Sequence, residues 1–392
     1  MMTGFLLARA GVATVVLEKH RDFLRDFRGD TVHPSTLDLF SELGLLDQLL
    51  ACPHDKVPAV GAVIGGREYR IADFSRLPGP AGFIAMMPQW HFLDFVAKQA
   101  RALPAFTLRM ECEAVGLVEE AGRVAGVRLA GGEAVNARLV IAADGRGSVL
   151  RDAAGLPRRD LGAPIDVLWF RVPKPRTPEN RTQAYIDRGE MIVTIDRGDY
   201  FQCARVIPKG AADRVRSAGL AQFRADMSTV APPLTPGIER LADWEEVKLL
   251  TVSLDRVSRW YRPGFLAIGD AAHAMSPVGG VGINLAIQDA VATANILAEH
   301  LVRGEGADPL LPLVQRRRMR AVRLIQSFQR LAHRTVIGAA LRDQPFRAPA
   351  VLRLLQAIPP LQALPAWLLG LGPWREHIRS PDCGRQGQRE RS

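Results

Sequence analysis

Apolar residues open the chain at helical spacing, with Met2, Phe5, Leu6 and Ala10 recurring on one face and Gly11 placed to adopt the left-handed conformation that ends a helix. Val15, Val16 and Leu17 follow as a short apolar run closed by Glu18, which predicts a buried strand ending in an acid. Helix followed at once by strand is the second half of a βαβ unit, and the pattern holds no first strand ahead of it. Pro34-Ser35-Thr36 predicts a helix start, carried through Leu37, Phe40 and Leu43 and stopped near Gly44. A further helix is expected from His91 to Leu103, with Phe92, Phe95, Val96 and Leu103 inward.

Between Glu113 and Ile141 the period changes. The runs Ala114–Val118, Val124–Leu129 and Val135–Ile141, punctuated by Ala121-Gly122 and Gly131-Gly132, predict a three-stranded meander whose last strand runs into Ala142-Ala143-Asp144-Gly145. Strands at Val167–Val172, Met191–Ile195, Phe201–Ile207 and Val247–Leu254, with one helix near Leu220 to Met227, predict a second, mainly antiparallel layer suited to covering a ligand. Phe265–Ile268 returns to the α/β layer, and Gly282 to Leu301 reads as a long helix. The stretch from Pro309 to Trp374 is helical with proline breaks, and Cys383 to Ser392 is a polar tail expected to fray.

A chain of 392 residues is too long for one simple core, so two or three structural units are expected. Lys plus Arg number 51 against 41 Asp plus Glu, and the formal charge of +10 raises nucleic acid or an anionic membrane surface as partners. The excess reads as dispersed arginines. Its densest cluster, Arg316, Arg317, Arg318, Arg320 and Arg323, is interleaved with Leu313, Val314, Met319, Val322 and Leu324 at helical spacing, which favours a solvated helix face. Cys52, Cys112, Cys203 and Cys383 stand far apart, so neither a disulfide framework nor a metal site is expected, and a reducing cytoplasm fits. Met1 to Leu17 lacks a basic leader, and no segment reaches the ~20 unbroken apolar residues of a membrane span.

Three segments carry candidate chemistry. Glu18 ends the second strand of a dinucleotide-binding pattern, where a carboxylate can accept hydrogen bonds from both ribose hydroxyls; the alternative is an exposed acid closing a strand. Leu139 to Arg151 is a strand turning through Asp144-Gly145 into a helix, at the side of a sheet where cofactors bind; alone, Asp-Gly after a strand is usually only a turn. The longest is Gly264 to Ala290, in which a strand delivers Gly269-Asp270 to a loop stiffened by Pro277, three glycines expose backbone amides, and a helix starts near Gly282. Such a start offers free N–H donors and a dipole to an anionic or electron-rich group, as the pyrimidine edge of a reduced flavin presents.

Together these segments resemble the acid-ending second strand, the Asp-Gly motif and the Gly-Asp motif of the flavoprotein monooxygenase family that includes para-hydroxybenzoate hydroxylase, over Met1 to about His377. The resemblance implies an α/β fold: an FAD-binding, Rossmann-like domain of the glutathione-reductase type over 1–60, 85–164 and 255–308. It further implies an antiparallel β-sheet substrate domain over 165–254, C-terminal helices over 309–380 and a tail over 381–392. Glu18, with Lys19 beside it, is implied to bind the adenosine ribose, and Asp270, after Gly269, to contact the sugar-alcohol chain and pyrophosphate. Pro277, Gly280, Gly282, Ile283 and Asn284 are implied to border the isoalloxazine, the amides near Gly282 meeting its pyrimidine edge. Arg28 and Gln89 resemble residues that approach FAD, and Asp144 with Gly145 a pair linked to FAD and NAD(P)H.

The implied activity is an FAD-dependent monooxygenase: NAD(P)H reduces FAD, and one oxygen atom of O₂ passes through a flavin hydroperoxide to an aromatic or polycyclic small molecule. Reductases and dehydrogenases of the same fold, and a non-catalytic remnant, are the alternatives; no Trp-x-Trp-x-Ile-Pro segment of the halogenase kind is present. His33, His91 and His273 read as positional or packing residues, while Tyr185, Tyr200 and Gln202 lie in the covering layer. The family's opening strand and G-x-G-x-x-G loop have no counterpart, since Met1-Met2-Thr3 resembles the first residues of the helix that follows that loop. The expectation is a start set too late in the reading frame, with weakened cofactor affinity.

Overall fold

The computed structural model describes residues 1–24, 31–174, 182–342, 344 and 346–384. The Met2–Arg9 helix buries Phe5, Leu6 and Leu7, and Gly11 ends it at φ +92°, as its position predicts. Gly4 lies in that helix for a packing reason. A Cβ there would come 2.5 Å from Val16 Cγ2 and 3.1 Å from the Phe106 ring, so only glycine lets helix and strand approach this closely.

The strand Thr14–Leu17 pairs in parallel with Phe106–Arg109, from Thr14↔Phe106 to Leu17↔Arg109, a partner the sequence pattern did not predict. A second parallel pair joins Val140–Ala142 to Phe265–Ala267, with Tyr261–Arg262 antiparallel at its edge. Among the described residues no strand bridges these two pieces of the α/β layer. One continuous core nevertheless unites them, because the helices Met2–Arg9, Gly282–Val302 and Leu311–Ala332 pack their apolar faces together around Trp260, Phe265 and Leu266. The Gly282–Val302 helix and the turn before it are long and apolar enough to cross a membrane, yet 72% of the apolar stretch is buried inside the fold, where it forms the central core helix.

The meander forms as three strands, Ala114–Glu120, Arg123–Leu129 and Ala134–Asn136. The predicted single run Val135–Ile141 is instead broken. Ala137 N–H donates to Ala125 O and closes the meander, and Val140–Ala142 departs to a different sheet. The covering layer is a seven-stranded sheet ordered Lys248–Leu250, Ile165–Pro173, Tyr200–Pro208, Glu190–Asp196, Gln183–Asp187, Ala59–Ile64 and Arg67–Asp73. Its last two strands come from outside 165–254, through parallel pairing of Gln183–Ile186 with Gly61–Ile64. Only Lys248–Leu250 of the predicted Val247–Leu254 run is strand. Phe170, Ile192, Phe201, Phe223 and Met227 fill a separate core between this sheet and the Leu220–Val230 helix.

The C-terminal segment returns across the whole molecule. Arg375 bonds Asp38, Glu42 accepts from His377 and Ile378 N–H, Asn295 accepts from Ser380 N–H, and Arg9 pairs with Asp382. The last described residues therefore lie against the first helices.

Candidate functional site

Parallel pairing of Val140–Ala142 with Phe265–Ala267 brings the Asp-Gly and Gly-Asp turns side by side at the carboxyl ends of their strands. Arg146 joins them: its Nε donates to Asp270 Oδ2 at 3.1 Å and its Nη2 to Met275 O at 3.1 Å. Buried Arg151 adds a second tie, donating to Arg146 O and Ala271 O. Asp270 Oδ1 receives no hydrogen bond among the described residues and the side chain is half-buried, so one carboxylate oxygen is left for a ligand hydroxyl. Asp144 has a long contact, 3.5 Å, with Leu150 N–H.

The glycine loop is held from three sides. Thr31 Oγ1 donates to Gly280 O at 2.7 Å, and a Cβ on Gly280 would come 2.6 Å from that hydroxyl. Gln329 brackets Pro277, accepting from Ser276 N–H and donating to Ser276 O and Val278 O. Asn284 is a clamp as well. Its Oδ1 accepts from His33 N–H and the Thr36 hydroxyl, and its Nδ2 donates to Thr31 O and Gly280 O. The side chain is therefore fully engaged within the protein, and what Asn284 offers a ligand is its backbone. The N–H groups of Val281, Gly282, Ile283 and Asn284 donate to nothing among the described residues, since Leu285 N–H makes the first bond of the helix, to Val281 O. Four aligned free donors at the start of a 21-residue helix fit the electron-rich pyrimidine edge of a flavin. A small cavity of about 30 Å³ beside this start is lined by Ser35, Asn284, Gln288, Leu369 and Arg375, among others.

Below the loop lies a buried ionic knot. Asp289, fully buried, accepts from Gly269 N–H at 3.0 Å, His273 Nε2 at 2.6 Å and Arg318 Nε at 2.9 Å. Burial alone would push its carboxyl up, but the charges and hydrogen bonds of His273 and Arg318 outweigh that and hold it below the ordinary aspartate value. The Gly-Asp turn is thus fixed to the two longest helices through one carboxylate.

Glu18 follows the strand Thr14–Leu17, accepting from His20 N–H, and its charge acts on the Met1 amine at the start of the first helix. Lys19 pairs with Glu113 at 3.8 Å and lines an open depression with His20, Arg21 and Glu111. Gln89 is the first residue of the Gln89–Arg101 helix, three positions beyond Met86, whose pairing with Thr31 carries it toward the glycine loop. Arg28 lies outside the described residues.

The histidines take structural positions. His33 Nδ1 bonds Leu369 O at 2.7 Å, and burial, opposed only by that bond, pushes its imidazole down to about 4. An unfolded-state value near 6.5 means that, as pH falls from about 6.5 to about 4, the unfolded chain takes up a proton the folded chain refuses. Stability present above that window is lost through it, by roughly 3 kcal/mol. His33→Gln is expected to flatten this part of the profile in urea melts between pH 4 and 7; an unchanged slope would reject the assignment. Tyr185 and Gln202 are buried and bonded internally, Tyr185 to Gln183 and Gln202 to Phe170 O. Sequence reasoning missed Thr31, Arg146, Asp289 and Gln329 as site-building residues. For Gln329 a signal existed: it is a polar residue on the apolar, inward face of its helix.

Residues 1–328 match the family model described as FAD binding domain. The chain is 33% identical over 320 residues to 6-methylpretetramide 4-monooxygenase of Streptomyces rimosus, covering 80% of this chain and 76% of that one. It is 30% identical over 301 residues to rifampicin monooxygenase of Streptomyces venezuelae, covering 74% of this chain and 60% of the relative's length. Among solved structures, pqsL, a probable FAD-dependent monooxygenase from Pseudomonas aeruginosa, superposes with a TM-score of 0.74 at 21% identity, covering 90% of this chain and 95% of that one.

Proposed function

The chain belongs to the FAD-binding-domain family of flavoprotein monooxygenases, and from that premise we propose that it uses NAD(P)H and O₂ to hydroxylate an aromatic or polycyclic small molecule. The observation that carries the proposal is the row of unpartnered amides from Val281 to Asn284, presented by a glycine loop that Thr31, Asn284 and Gln329 hold in place. Bound FAD would supply the redox chemistry, taking a hydride from NAD(P)H and passing electrons to O₂ so that one oxygen atom enters the substrate and the other leaves as water.

The chain's own part is positional. The Val281–Asn284 amides would donate to the flavin's pyrimidine edge, Gly280 would let the ring approach the backbone, and Glu18 and Asp270 would accept from the ribose and sugar-chain hydroxyls. The seven-stranded sheet would cover the substrate and exclude water. The substrate class follows the relatives named for 6-methylpretetramide and rifampicin.

Two measurements test this reading. Asp270→Ala is expected to weaken FAD binding by about 1–3 kcal/mol, the cost of leaving a polar partner unsatisfied, and fluorescence titration with an unchanged affinity would refute the role. Incubation with NAD(P)H, O₂ and a panel of phenols and polycyclic aromatics should yield a product heavier by one oxygen atom, with NAD(P)H oxidation quickened by the same compound. Rapid substrate-independent oxidation with no oxygenated product would point to a reductase instead.

A further inference from the structure

The arginine excess is not spread along the chain, which corrects the view of it as dispersed. Residues 311–375 contain eleven arginines, no lysine and a single acid, Asp343; their formal +10 equals the charge of the whole chain, so the remainder is neutral. The same segment holds nine of the fifteen exposed large apolar residues among the described residues. Eight of the eleven arginines, all but Arg317, Arg318 and Arg375, pair with no acid among the described residues, so uncompensated charge and uncovered apolar surface coincide in this segment.

On the Leu311–Ala332 helix the two are ordered. At roughly 100° per residue, Arg316, Arg320, Arg323, Arg330 and, in the turn that continues the helix, Arg334 fall within an arc of about 80°. Leu313, Leu324 and Leu331, exposed by 40%, 42% and 59%, occupy the band directly beside it. All five arginines are exposed, and none pairs with an acid among the described residues. Arg317 and Arg318 differ: they reach Glu376 and Asp289. The opposite side of the helix buries Val314, Val322 and Ile325 in the core, so the arginine face points away from it. Nearby Arg256 is held below the ordinary arginine value by burial and then by the charges of Arg323, Arg159 and Arg330, so like charges crowd at this face.

Such a surface is relieved by a partner that is both anionic and apolar. Nucleic acid would answer the arginines but leave the leucines in water, and a purely solvated helix face has no use for leucines exposed in register. An anionic bilayer answers both, since arginines reach lipid phosphates while leucines enter the acyl boundary. We propose that the Leu311–Ala332 helix is a docking surface for an anionic phospholipid membrane, lying along the bilayer with its Arg316–Arg334 stripe against the headgroups.

The test is co-sedimentation of the full chain with phosphatidylcholine vesicles, with and without phosphatidylglycerol. Phosphatidylglycerol should raise the bound fraction strongly, and added salt should lower it. The triple variant Arg316→Glu, Arg323→Glu, Arg330→Glu should lose binding by on the order of a hundredfold. Leu313→Ser, Leu324→Ser, Leu331→Ser should lose it severalfold, both variants keeping the parent melting curve and flavin content. No binding to anionic vesicles, or equal binding to neutral ones, would overturn the proposal. So would binding that survives the serine substitutions and is matched by duplex RNA, which would make the face a polyanion site. A dimer by light scattering that the serine variant converts to monomer, without vesicle binding, would make it a contact between copies.

Discussion

Asparagine at position 289 is expected to destabilise the protein by roughly 3–5 kcal/mol, the range for removing one partner from a buried ion pair. Asp289 answers a guanidinium and an imidazole that are each 1% exposed, so neutralising it leaves Arg318 with Glu376, 3.7 Å away, as its nearest carboxylate among the described residues. The change also weakens the acceptor of Gly269 N–H, loosening the turn that carries Asp270. Chemical denaturation and flavin content should therefore fall together. A paired replacement separates charge from packing: Asp289→Leu with Arg318→Met removes both charges and should recover part of the loss. If Asp289→Asn melts within about 1 kcal/mol of the parent, the knot is not holding the site and this account of it fails.

How far the site was legible follows from the range of its interactions. The elements that present ligand-facing groups are local, and local pattern predicts them: Gly11 ends its helix, Gly282 opens its own, and Asp144 and Asp270 stand at strand ends. The groups that hold those elements are distant in sequence. Thr31 meets Gly280 across 249 positions, and Gln329 meets Ser276 across 53, so neither leaves a periodic trace. Asn284 divides between the two ranges. Its backbone amide belongs to the local row at the helix start, whereas its side chain is engaged by the distant Thr31, His33 and Thr36 and by Gly280, which local pattern did not indicate. The hairpin of Ala59–Ile64 and Arg67–Asp73 was unreadable as part of the covering sheet for the same reason, since it joins that sheet only through the parallel, remote pairing of Ala59–Ile64 with Gln183–Asp187.

A comparably large effect is expected from Gly280→Ala. Its φ of +61° lies in the left-handed region, where a Cβ costs about 1–2 kcal/mol, and that Cβ would also meet Thr31 Oγ1 at 2.6 Å. Moving Thr31 away breaks its bond to Gly280 O, and moving the loop shifts the amides of Val281 to Asn284 by the few tenths of an ångström that hydrogen bonds to a planar ring do not tolerate. Together these should weaken FAD binding by roughly 2–4 kcal/mol, about thirty- to a thousandfold. Adding Thr31→Ala removes the clash and not the backbone strain, so the double variant should bind more tightly than Gly280→Ala alone and less tightly than the parent. Equal affinity of parent and Gly280→Ala in a flavin titration would show that the ring does not depend on this loop.

The closure of the C-terminal segment onto the first helices sets when the protein becomes native during synthesis. Arg9 and Asp382 are 373 positions apart, Asp38 and Arg375 337, and Glu42 and Ile378 336. None of these contacts can form until residues 375–382 have left the ribosome, and Asp289 lacks its Arg318 partner until the Leu311–Ala332 helix has emerged. Translation at ~5–20 residues per second exposes the α/β half for many seconds without the helices that complete its core. Over that interval the nascent chain offers uncovered apolar surface to chaperones.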